Sequence, residues 1–124
     1  MTLREINCLP LLLLSSQVTA AEVAKDDWVA HMTTSLPVYL CQPEQYFRKC
    51  FEVSAEQCEE TMASATRVCL NQYDEAMPAT LSLPDEGRHW GTVVGTCTGT
   101  SFESTMIGKR KADPICNDPS HWQN

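Results

Sequence analysis

Basic residues are scarce in this chain. Nine lysines and arginines face 16 aspartates and glutamates, for a net charge of −7. A nucleic-acid binder needs the opposite balance, because its affinity comes from displacing counterions from phosphate. Long apolar runs are scarce as well: the leucine-rich stretch over 9–14 is interrupted by Ser15, Ser16, Gln17 and Thr19, well short of the roughly 20 apolar residues that a membrane span requires. Close cysteine pairs are missing. Zinc sites favour C-x2-C spacing and redox sites C-x-x-C, and neither occurs. His31, His89 and His121 are the only histidines. None lies in H-x-x-x-H or H-E-x-x-H, and the chain has no G-x-S-x-G turn and no phosphate loop. The sequence therefore predicts no catalytic residues, no metal ligands, no cofactor, no nucleic-acid partner and no enzymatic activity.

What the chain does have is cysteine, seven in 124 residues. Cys8 lies within a segment with the three parts of a secretion signal: a weakly positive start at Arg4, the apolar centre, and the small residues Val18, Thr19 and Ala20. Cleavage after Ala20 is expected, leaving 21–124 as a single helical domain. Asn7 precedes Cys8 and the leucines follow it, the wrong order for a lipidated cysteine. Removal of the leader leaves six cysteines, Cys41, Cys50, Cys58, Cys69, Cys97 and Cys116, an even number that can pair completely in an oxidising compartment. The prediction is an exported protein, periplasmic if bacterial and otherwise extracellular.

Hydrophobic spacing predicts an all-α architecture of about four helices. Trp28 or Val29, Met32, Leu36 and Leu40 form a stripe behind Asp26 and Asp27, which are expected to cap the helix, while Pro37 is expected to kink or end it near 36. Pro43 and Glu44 open a second helix with Tyr46, Phe47, Cys50 and Phe51 on one side. Ser54 and Gln57 read as a capping box for the clearest element, an amphipathic helix of about 20 residues with Cys58, Met62, Ala65, Cys69, Tyr73 and Ala76 along its apolar face. Residues 80–87 read as a connector with nothing to pack.

The stretch 90–100 is rich in Thr and Val, which favour strands. Gly91, Gly95 and Gly99 nevertheless recur every fourth residue, and Trp90, Val94, Cys97, Phe102 and Met106 follow a helical stripe. Helix is predicted over 87–107, with Gly108 as its stop. The glycine row marks either close packing within the domain or an interaction face. Lys109, Arg110 and Lys111 are expected to be the solvated end of that helix, and 112–124 an irregular strap anchored by Cys116.

Cys58 and Cys69, eleven residues apart, project in nearly the same direction from one helix. Folding 43–76 into an α-hairpin brings Cys50 near Cys58 and Cys41 near Cys69, which leaves Cys97 for Cys116. The expected bridges are thus 41–69, 50–58 and 97–116. The C-x3-C step of insect odorant carriers and the adjacent cysteines of plant lipid-transfer proteins do not occur here, so spacing assigns the chain to neither.

A rigid, acidic, exported scaffold without chemistry of its own suits a small binding protein, such as a periplasmic inhibitor or immunity-type protein that contacts another, basic protein. The alternatives are a carrier of a small apolar ligand, with Trp28, Phe47, Phe51, Tyr73, Trp90 and Phe102 around a cavity, and an envelope stress or structural factor.

Overall fold

The computed structural model describes residues 21–121; the predicted leader, its cleavage point and Cys8 lie outside them. Among the described residues the order is β1 (Glu22–Ala24), α1 (Lys25–Leu40), α2 (Tyr46–Lys49), α3 (Ala55–Gln72), β2 (Thr80–Ser82) and α4 (Asp85–Thr105), followed by 3₁₀ turns at Ile107–Lys109 and Pro119–His121. Helix dominates, as the hydrophobic spacing predicts. α3 is the central helix and packs along both α1 and α4.

The local chemistry differs from expectation at α1. The residue before this helix is Ala24, so Asp26 and Asp27 lie inside the first turn and do not cap it. There they complement the positive end of the helix dipole, while the Lys25 amide donates to the Ala79 carbonyl at 2.9 Å. The partner for this free N–H thus comes from across the fold. Pro37 neither ends nor splits the helix, which runs on to Leu40 with the proline ring buried. Proline removes one backbone bond, and helix formation resumes at once because the Cys41 amide donates to the Pro37 carbonyl at 3.1 Å.

At α3 the Ser54 hydroxyl accepts from the Gln57 amide at 3.0 Å, as the capping pattern predicts. Its buried face consists of Cys58, Met62, Thr66, Cys69 and Leu70. The buried strip is therefore shifted from Ala65 to Thr66, and the Thr66 hydroxyl avoids an unpaired burial by donating to the Met62 carbonyl at 2.7 Å.

The two-stranded sheet is an element that spacing does not suggest. β1 and β2 pair antiparallel with Val23 opposite Leu81, and Leu81 is 0% exposed. The segment expected to pack against nothing therefore supplies a fully buried anchor. Three-residue strands are too short to show an alternation, and their pairing joins segments nearly sixty positions apart, so only the tertiary fold reveals them. α4 forms as predicted despite its glycines, with the Glu86 carboxylate accepting from the Ser82 amide at 3.1 Å beside its first turn.

Two apolar clusters make up the core. One contains Cys41, Cys50, Phe51, Cys58, Met62, Phe102, Met106 and Cys116. The other contains Trp28, Cys69, Leu70, Met77, Leu81 and Val94. Each cluster includes disulfide sulfurs, so the covalent links run through the packed interior.

The disulfides themselves correct the expected pattern. Cys41 joins Cys58, Cys50 joins Cys116 and Cys69 joins Cys97, with Cα separations of 5.8, 5.5 and 5.9 Å. The predicted pairs 41–69, 50–58 and 97–116 all assumed a hairpin over 43–76, and α2 is only a single turn, too short to be a hairpin arm. α3 lies instead against α1 and α4. Its first turn meets the end of α1 at Cys41, and its last turns meet the middle of α4 at Cys97. Cys50 is thereby left to the C-terminal strap.

Candidate functional site

The predicted glycine face divides into two environments. A Cβ added at Gly99 would lie 2.9 Å from Cζ of Phe47, whereas at Gly91 and Gly95 it would meet nothing within 4 Å. Four-residue steps on a helix advance by about 40°, so a row of three glycines turns gradually from the core to the surface. Gly99 is thus a packing residue, whereas Gly91 and Gly95 are half-buried positions with open space beside them.

A different side of α4 forms a seam with α3. One groove of about 460 Å³ is lined by Glu60, Thr61, Ser64, Ala65, Val68, Ser101 and Thr105. A second, of about 510 Å³, is lined by Tyr73, Thr92, Val93, Thr96, Cys97, Thr100 and Ser101. Ser101 borders both, so the two form a continuous surface. Glu60 is its only formal charge, although charged residues make up 20% of the chain. Val68, at 65% exposure, stands out from it.

The aromatic residues do not surround a common cavity. Phe47 and Phe51 each pack edge-on against Phe102 with ring centroids 5.2 Å apart, and Tyr46 packs edge-on against both Phe47 and Phe51. Trp28, Tyr73 and Trp90 belong to the other cluster. Interlocked rings of this kind fill space and favour each other by edge-to-face contact. His31 and His89 are both exposed, on α1 and α4 respectively. No group of three or more His, Cys, Asp or Glu side chains suited to a metal occurs among the described residues.

The basic run at 109–111 is more than a helix end. Phe51 and Arg110 form an antiparallel bridge, in which the Glu52 amide donates to the Lys109 carbonyl at 2.9 Å and the Lys111 amide to the Cys50 carbonyl at 2.8 Å. This pairing brings Lys109, Arg110 and Lys111 beside Arg48 and Lys49.

Arg110 ties three segments together. Its Nε donates to the Tyr46 hydroxyl at 3.2 Å, its Nη1 to Asn117 Oδ1 at 3.2 Å and its Nη2 to the Cys116 carbonyl at 2.9 Å. Burial, aided by the bond to the Glu103 carboxylate, holds the Tyr46 hydroxyl above its ordinary pKa, and Arg110 acts in the opposite sense. The bond to Tyr46 likewise holds the Arg110 guanidinium above its ordinary value. A five-donor planar group suits this work, since it can satisfy a phenol, an amide and a carbonyl at once.

The spacing of the sequence places Gly91, Gly95 and Gly99 on one helix, as found, but does not separate the packed glycine from the open ones. The seam with its single charge is not legible in the sequence, because its residues come from two separate helices, α3 and α4, and only their packing brings them together. A family model described as T2SS substrate NttA matches residues 22–110, a span that includes α1 to α4 and five of the six bridging cysteines, and stops short of Cys116. No curated protein and no solved structure matches the chain.

Proposed function

This chain belongs to the NttA family of type II secretion substrates, and from that membership we propose that it is a small exported binding protein that works outside the cell by contact with another protein. Membership supports export. The contact role is supported chiefly by the seam between α3 and α4, where Thr, Ser and Val side chains and a protruding Val68 form a continuous surface with Glu60 as its only formal charge. Surfaces low in charge with one prominent apolar residue favour protein contacts, because little polar desolvation opposes burial.

The three bridges fit such a role. They confine a chain of modest core to one shape before it meets a partner, so that little ordering entropy remains to oppose binding. The net charge of −7 favours a basic partner through long-range attraction. On this proposal the protein acts without chemistry of its own and without a cofactor.

The test compares the tagged, oxidised protein with its V68E and T96E variants on extracts of the compartment where it accumulates. The proposal requires one stoichiometric partner that binds the parent protein, dissociates with added salt, and is lost from both variants while K49E retains it. A partner retained equally by all forms, or no partner at all, overturns it. Location is tested by comparing culture supernatants of strains with and without a working type II system; retention in the periplasm in both refutes action outside the cell.

A further inference from the structure

We propose that the chain is a substrate for a trypsin-like serine endopeptidase at the Lys111–Ala112 bond, and that the cut yields a two-chain protein with an unchanged fold. Three observations support this. First, the bond lies in an exposed, irregular stretch: 111–115 is exposed throughout, and 111–113 belongs to no helix or strand. Among the described residues neither the Lys111 carbonyl nor the Ala112 amide has a hydrogen bond. Segments of this kind reach an extended protease-bound conformation at small cost.

Second, among the described residues the other basic ones are held. Lys25, Arg48, Lys49, Arg67 and Arg88 lie within helices. The Lys109 carbonyl accepts from Glu52, and Arg110 forms the bridge to Phe51. Lys111 is the last residue of that pairing, and the chain is free immediately after it.

Third, the cut falls inside the loop closed by Cys50 and Cys116. Both sulfurs are buried, Cys50 at 0% and Cys116 at 6% exposure. Arg110, on the N-terminal side of the cut, grips the Cys116 carbonyl and Asn117 on the other side. The tail therefore stays in place after hydrolysis. In the reaction the oxygen of water adds to the Lys111 carbonyl carbon, the C–N bond to Ala112 breaks, and a proton goes to the departing amine. The products are a carboxylate on Lys111 and a free amino group on Ala112, with no change of oxidation state. Detachment of 112–124 then requires a separate reduction of the Cys50–Cys116 bridge by a thiol.

Helices α1 to α4 and the bridge at Arg110 all lie on the N-terminal side of the cut. The experiment is a time course of the oxidised, exported protein with a low ratio of trypsin, followed by mass spectrometry with and without reductant. The expected first product carries one added water, stays a single species without reductant, and separates with reductant into a chain ending at Lys111 and one beginning at Ala112. The K111Q variant stays intact over the time in which the parent is fully nicked, and K49Q is nicked like the parent. A first cut at any other lysine or arginine, loss of the tail without reductant, or no cut while the reduced and unfolded chain is digested overturns the proposal.

Discussion

Gly99 of α4 and Phe47 of α2 meet so closely that the hydrogen on the glycine is the only substituent the ring allows, with an added Cβ 2.9 Å from Cζ. Phe47 in turn packs edge-on against Phe102, which is fully buried. The expected cost of G99A is about 1–3 kcal/mol, because the ring must leave a packed position. G95A, where a methyl meets open space, is expected to stabilise by about 0.5–1 kcal/mol through helix propensity. Chemical unfolding of both variants checks the contrast, and equal effects would show that the glycine row has one role.

Thr98 is fully buried, and among the described residues its hydroxyl has no hydrogen-bond partner. Replacement by valine removes that polar atom at nearly constant shape, so T98V is expected to raise stability by about 1 kcal/mol. T66V removes a hydroxyl that does have a partner, the Met62 carbonyl, and is expected to be neutral or destabilising. Denaturant midpoints of the two variants decide it.

The bridge from Cys50 to Cys116 spans 66 residues and that from Cys41 to Cys58 spans 17. Loop-closure entropy assigns them about 4 and about 3 kcal/mol respectively. C50S/C116S is therefore expected to lose more thermal stability than C41S/C58S. Peptide mapping of the unreduced parent is expected to recover 41–58, 50–116 and 69–97. The pattern 41–69, 50–58 and 97–116 would instead restore the hairpin that the helix lengths argue against.

Tyr46 provides a pH test. Its folded pKa is raised above the ordinary tyrosine value, by burial first and by the bond to Glu103 second. A raised folded pKa means that the neutral phenol is favoured in the folded protein. Its stabilisation is fully present below the unfolded pKa of about 10 and is lost as pH rises through the folded value. The parent is expected to lose stability above about pH 10 more steeply than Y46F, as seen by unfolding at a series of alkaline pH values. Parallel curves would remove Tyr46 from the account.

The sequence alone is enough for the helical class, for α3 with its Ser54 cap, and for the choice of helix over strand in 90–100. These depend on residues three and four positions apart, and a helix satisfies its own backbone bonds within that range. The even set of six cysteines points in the same way to an oxidising destination. The length of α2, the passage of α1 through Pro37 and the pairing of Val23 with Leu81 depend on contacts between distant segments. So do the partner of each cysteine, the packing of Gly99 against Phe47 and the seam between α3 and α4. Spacing along one helix says which way a side chain points but not which element lies opposite, and that was decided only when α3 settled between α1 and α4.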